Sequence, residues 1–263
     1  MSVNSYLTNL SGNLVLRDAE KTSINTSIST ISSRISNYFG SQVQAHFKFG
    51  SSTRGTILPR WADENSDIDY MVVFNTSDGA YKPQTYLNQL KTFVERYYSS
   101  SEIRQSHPTI VLELNHIKFE LVPAIVNLWS QYQIPSPASS WEEWLVTDPN
   151  GFNQKLTDAN TANNYLIKPL VRLVKYWNAL NGHYFSSYDL ENFTAGLYLS
   201  YSNNLKNYFY GFWDSFSCSY NSPQYVKDKV QRTKEKVSTI RQYEQQEYES
   251  LAESELAKLL PTN

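Results

Sequence analysis

The sequence predicts an α+β chain in two lobes, the first a mixed β-sheet with a long helix and the second helical. Three observations carry this expectation. Residues 18–39 set Ile24, Ile28, Ile31, Ile35 and Phe39 at spacings of four and three, the stripe of an amphipathic helix. Between residues 43 and 125 several short segments instead alternate with the period of two that marks half-buried strands. From about residue 140 tryptophans and tyrosines multiply and helical spacing replaces alternation. A chain of 263 residues is long enough for two packed lobes with a substantial core. The lobes are expected to span residues 1–140 and 141–263.

The elements follow in order. The helix over 18–39 ends near Gly40, where φ can turn positive. "VQAHFKF" alternates Val43, Ala45, Phe47 and Phe49 against Gln44, His46 and Lys48, a strand. "IDYMVVF" at 68–74 is a second strand, closed by the turn-rich "NTSDG". Residues 84–98 read as helix. "TIVLEL" and "IKFELVPAI", separated by Asn115 and His116, form an antiparallel hairpin. In the second lobe "YLIKPLVRLVKYWNAL" turns Leu166, Leu170, Leu173, Val174 and Trp177 to one face and Lys168, Arg172 and Lys175 to another. Residues 223–258 are charged but striped by Val226, Val230, Val237 and Ile240, a helical region with an interruption that packs one face within the chain.

Composition narrows the function classes. Hydrophobic residues at 40% and charged residues at 18% describe an ordinary globular protein rather than a disordered one. A formal net charge of −2 excludes the broadly basic surface needed to grip long duplex nucleic acid. Cys218 is the single cysteine, so neither a disulfide framework nor a cysteine-based zinc site can form within the chain, which fits a reducing compartment. The N-terminus lacks a basic region followed by an apolar core, and no stretch approaches the roughly 18 apolar residues of a membrane span. A soluble, cytoplasmic protein without a membrane partner is expected.

The chemistry concentrates in "FGSSTRGTILPRWADENSDIDY", residues 49–70. In an extended strand residues i and i+2 share a face, so Asp67 and Asp69 project together while Ile68 enters the core. Two adjacent carboxylates repel each other unless a divalent cation lies between them, and magnesium prefers such hard oxygen ligands together with substrate phosphates. A third acid is therefore expected nearby. In "IKFELVPA" Ile117, Phe119 and Leu121 face inward and leave Lys118 and Glu120 on the opposite face, which makes Glu120 the third ligand. Gly50 and Ser51 close the preceding strand and open a short helix, whose backbone N–H groups and serine hydroxyl suit the outer phosphates of a nucleotide. Two Mg²⁺ ions, with Mn²⁺ as an alternative, would activate an attacking hydroxyl and neutralise departing pyrophosphate. Arg54 and Arg60, between the turn and the aspartates, either meet phosphates or stand in solvent; Arg54 is kept as a candidate substrate contact. His46, His107, His116 and His183 show no metal-ligand spacing, and there is no nucleophile elbow or Walker-type loop.

Gly50-Ser51, Gly55-Thr56, Ser66-Asp67-Ile68-Asp69 and Glu120-Leu121-Val122-Pro123-Ala124 resemble the motifs of the DNA polymerase beta-like nucleotidyltransferase superfamily, most nearly its CD-NTase and oligoadenylate synthetase-like branch. The resemblance runs over roughly residues 45–195. It implies a bilobed fold in which residues 1–140 are the catalytic lobe and residues 141–263 complete the nucleotide cleft. "VRLVKYWN" is similar to the family's helix with a triphosphate-contacting lysine, which falls on Lys175, and "SSYDLE" to its Ser-Tyr element, which puts Ser187 near phosphates and Tyr188 against a base. Glu120 departs from the usual aspartate, and its extra methylene shifts the carboxylate. The implied activity joins nucleoside triphosphates into a short cyclic or linear oligonucleotide signal in bacterial antiphage defence, read by an effector protein. Transfer to a protein or transfer RNA acceptor, including protein-primed linear synthesis, and a catalytically inactive nucleotide-binding module are the alternatives.

Overall fold

A computed structural model describes residues 2–77, 79–136, 142–197 and 203–262. The chain begins with α1 (Val3–Asn13), which belongs with the helices of the C-terminal half. It divides into two compact units, Leu16–Asn153 and a second made of Met1–Val15 with Gln154–Asn263. The boundary expected at 140/141 lies outside the described residues, and the expectation that the N-terminal lobe starts at residue 1 is corrected. Val3, Leu7, Leu10 and Leu14 are all buried, and Tyr6 donates its hydroxyl to the carbonyl of Leu260 at 2.8 Å, so the first helix is part of the helical unit.

The unit Leu16–Asn153 runs α2 (Asp18–Phe39), β1 (Val43–Lys48), the single turn α3 (Ser51–Arg54), β2 (Asp67–Phe74), α4 (Pro83–Tyr97), β3 (Glu102–Ser106), β4 (Thr109–Glu113), β5 (Lys118–Val126), β6 (Tyr132–Pro135) and β7 (Trp144–Thr147). The main sheet is ordered β1-β2-β5-β4-β3, with β6 pairing β5 and β7. Among the described residues β2 and β5 run parallel, and every other neighbouring pair is antiparallel. A parallel neighbour requires a crossover, and here α4, β3 and β4 provide it. One face of the sheet packs against α2 and α4 through Ile24, Ile31, Ile35, Phe39, Ile68, Tyr70, Val72, Phe74, Leu87, Leu90, Phe93, Phe119 and Leu121. A smaller cluster of Met71, Val73 and Ala124 covers part of the other face. The expected helices and strands form with ends within one or two residues, while β3, β6 and β7 were not expected.

The helical unit contains α1, most of α5 (Gly151–Ala162), α6 (Ile167–Leu180), α7 (Ser187–Ala195), α8 (Leu205–Ser215), α9 (Gln224–Gln245) and α10 (Glu249–Leu259). Its core is aromatic: Trp177 meets Trp213 edge-on at 4.7 Å, and Phe212 stacks on Phe216 at 5.0 Å. Such pairs stabilise by about 0.5–1.5 kcal/mol beyond area burial. The interruption expected within 223–258 falls at Gln246–Tyr248, where Glu247 takes φ 62° between α9 and α10. Val226, Val230, Val237 and Ile240 are buried as the stripe requires. Among the described residues no helix is long and apolar enough to cross a membrane.

Candidate active site

The polar edge of β2 and β5 is built by register. Asp67 pairs with Lys118 and Asp69 with Glu120, so four charged residues stand two by two on adjacent parallel strands. Alternation explains why they share a face: Ile68, Tyr70, Phe119 and Leu121 are buried between them, while Asp67, Asp69 and Glu120 are half-buried. The Lys118 ammonium lies 3.3 Å from Oδ2 of Asp67 and 3.3 Å from Oε1 of Glu120, with its side chain only 9% exposed. Burial pulls the Lys118 pKa down, but Asp67 and Glu120 together outweigh it and hold the ammonium above the ordinary lysine value. One strand further, Glu113 pairs with Lys118 across β4 and binds Arg60 at 2.6 Å. Arg60, expected to meet phosphates or stand in solvent, is thus in a half-exposed ion pair.

The turn before β2 approaches Asp69 closely. The backbone N–H of Phe49 donates to the Asp69 carbonyl at 3.0 Å, and Gly50 follows with φ 70° and ψ −153°. L-residues rarely adopt this conformation. A Cβ on Gly50 would meet Oδ2 of Asp69 at 1.9 Å. Ser51 begins α3, which ends at Gly55 in the left-handed region, and the Thr56 N–H donates back to the Ser51 carbonyl at 3.1 Å. The hydroxyls of Ser52 and Thr53 bond to the carbonyls of Phe49 and Gly50, leaving Ser51 as the half-buried hydroxyl at the head of the turn. Arg54 is buried, its guanidinium 5.4 Å from the ring centroid of Phe152.

The remaining candidates lie in the helical unit. Lys175 is buried and its ammonium sits 3.2 Å from Oε1 of Glu191, which is wholly buried. Lys168, Arg172 and Lys175 were expected together on one face of α6; α1 and α7 both contact this helix, and Lys175 is buried while Lys168 and Arg172 are half-buried. Arg172 donates Nε–H to the Ser11 carbonyl at 3.1 Å, and burial pushes its pKa down to about 10. Ser187 opens α7 and is exposed; Tyr188 is 53% exposed, presenting an aromatic ring to solvent.

Residues 1–160 match the Second Messenger Oligonucleotide or Dinucleotide Synthetase (SMODS) domain. The chain belongs to this family. The SMODS chain is 28% identical over 185 residues to a probable cyclic nucleotide synthase of Bacillus cereus, covering 64% of this chain and 55% of that protein. A cyclic AMP-AMP-AMP synthase of Acinetobacter is 27% identical over 146 residues, 54% of this chain and 41% of that one. The chain thus spans about half the length of these curated relatives. The fold matches that of the Vibrio cholerae cyclic AMP-GMP synthase DncV, solved with a linear intermediate, at a TM-score of 0.73 and 13% identity over 91% of both chains.

The SMODS family is generally dependent on a divalent metal. The donor set fits such an ion: three carboxylates on two paired strands supply hard oxygens, and the missing Cβ of Gly50 keeps space beside Asp69. Among the described residues no three acids or imidazoles are already close enough to enclose an ion, and the cation now between Asp67 and Glu120 is the Lys118 ammonium. Sequence reasoning noticed Lys118 beside Glu120 but gave it no role. Its signal was a lysine two residues before the third acid, on the same face of the strand.

Proposed function

We propose that this SMODS protein is a divalent-metal-dependent nucleotidyltransferase that joins nucleoside triphosphates into a short cyclic or linear oligonucleotide signal, acting in antiphage defence through an effector that reads the product. The observation that carries the reading is the register of β2 on β5, which sets Asp69 beside Glu120 with Asp67 on the same face, against a glycine turn that leaves Asp69 clear. Asp67, Asp69 and Glu120 would hold magnesium or manganese. When bound, the metal neutralises phosphate charge and favours the alkoxide form of the attacking hydroxyl. The Gly50-Ser51 turn offers its hydroxyl and backbone to the outer phosphates. Tyr188 offers a ring for base stacking worth about 1–3 kcal/mol, and Ser187 a hydroxyl beside it. Lys175, paired here with Glu191, and Arg54, buried beside Phe152, are the proposed cationic contacts to the substrate phosphates.

The test is incubation with Mg²⁺ and all four labelled nucleoside triphosphates, followed by mass spectrometry of the products. Pyrophosphate and a new oligonucleotide are expected; no product from any base mixture would count against the reading. Asp69→Ala should abolish product while leaving the circular dichroism spectrum unchanged. A second reading, a silent nucleotide-binding module, draws on Lys118 standing where a metal would compete. Tight nucleotide binding without turnover would favour it.

A further inference from the structure

Lys118 is the one feature of the acidic face that a metal site does not require. Its ammonium touches the two outer acids at equal 3.3 Å separations, and its side chain is 9% exposed against 27% for Asp67 and 25% for Glu120. Solvent screening therefore does little to weaken the contacts. The two separations are long for charge-assisted N–H···O bonds, which run to about 2.7–2.9 Å. Elsewhere in the chain Lys206 meets Glu244 at 2.9 Å and Lys258 meets Glu255 at 2.6 Å. Lys118 thus divides its charge evenly between Asp67 and Glu120. The acid paired with it on β4, Glu113, is engaged by Arg60, which keeps the ammonium on Asp67 and Glu120.

Resting on the reading of Asp67, Asp69 and Glu120 as metal donors, we propose that Lys118 is a built-in counter-ion that holds the acids together in the metal-free protein and competes with the divalent cation for them. Asp67 and Glu120 on paired strands repel each other, and a monocation on a four-carbon stem set between them relieves that repulsion. A dication brings twice the charge but must displace the ammonium from both acids. Lys118 is then a positioning residue: it lowers the affinity for metal and stabilises the metal-free sheet edge.

The experiment is a titration of the full chain with Mn²⁺ alone, followed by electron paramagnetic resonance, together with thermal unfolding with and without the ion. In Lys118→Met the Mn²⁺ affinity should rise about tenfold or more, as expected when a cation bound to the same carboxylates is removed. The metal-free melting temperature should fall and be restored by Mn²⁺. Lys118→Arg, which keeps the charge, should bind like the wild type. Lys118→Gln provides the same comparison should Lys118→Met not fold. Asp69→Asn added to Lys118→Met should remove the gained affinity. A lowered melting temperature with unchanged Mn²⁺ affinity would make Lys118 a structural ion pair only and overturn the inference while leaving the metal site intact. If neither wild type nor Lys118→Met binds Mn²⁺, both the inference and the metal-site reading fail.

Discussion

Gly50 and Asp69 approach so closely that a Cβ on Gly50 would lie 1.9 Å from Oδ2 of the Asp69 carboxylate. The contact joins the end of one strand to the acid of the next, and the positive φ of Gly50 adds a second reason for glycine. Gly50→Ala should therefore lower the proposed oligonucleotide synthesis by about 100-fold, the scale of removing one preorganised group. The backbone strain, about 1–3 kcal/mol, should also lower the melting temperature by several degrees. Turnover assays and calorimetry check both; wild-type turnover would mean that the turn does not set the Asp69 position.

The register pairing of Asp69 with Glu120 makes the length of residue 120 a testable variable. Glu120→Gln keeps the reach and removes the charge, and synthesis should drop by about 100-fold or more. Glu120→Asp keeps the charge and shortens the reach, and activity should remain within about tenfold of wild type. A ranking in which Gln outperforms Asp in steady-state rates would remove Glu120 from the metal-binding set.

Lys175 and Glu191 form an ion pair with side chains 6% and 0% exposed. Removing one partner takes away the counter-charge of a buried ion pair, a change that costs up to about 3–5 kcal/mol. Glu191→Ala should lower the melting temperature by roughly 10 °C, whereas Lys175→Met with Glu191→Leu should recover most of the loss. Equal melting temperatures for the single and double variants would show that the pair is not coupled.

His46 links β1 to its neighbours, sharing hydrogen bonds with Ser36 through Nε2 and with the Tyr70 hydroxyl through Nδ1, each at 2.9 Å. Burial lowers its pKa below the usual histidine value of 6.5. The unfolded chain then binds the proton more readily, so this contribution to stability is complete above about pH 6.5 and is lost as the pH falls toward the folded-state pKa. His46→Gln, which retains hydrogen-bonding groups, should melt with a shallower loss between about pH 7 and pH 5 than wild type. Parallel melting curves across that range would refute it.

Much of the sheet was legible because its core strands alternate cleanly: Ile68, Tyr70 and Val72 on β2, and Phe119 and Leu121 on β5, go inward as period two demands. The shared face of Asp67 and Asp69 was legible for the same reason, since a strand that turns Ile68 to one side turns its two neighbours to the other. β3 was missed because "EIRQS" carries one apolar residue and lies at the sheet edge, where little burial constrains its sequence. The fates of Lys175 and Arg172 were hidden for a different reason. Helical spacing gives their direction but not whether α1 or α7 will cover it, and a buried cation reads like a solvated one until Glu191 or the Ser11 carbonyl is seen beside it. Helix α1 could have been found, since Val3, Leu7, Leu10 and Leu14 repeat at helical intervals.

Helix α1 also bears on how the protein is made. The helix is held by Arg172 and by the Leu260 carbonyl, partners that lie 161 and 254 residues further along the chain. Its docking therefore waits for their synthesis, a delay on the order of ten seconds or more at about 5–20 residues per second. The sheet unit, whose residues are contiguous from 16 to 153, can close during that interval. The apolar side of α1, with Val3, Leu7 and Leu10, stays uncovered until those partners arrive.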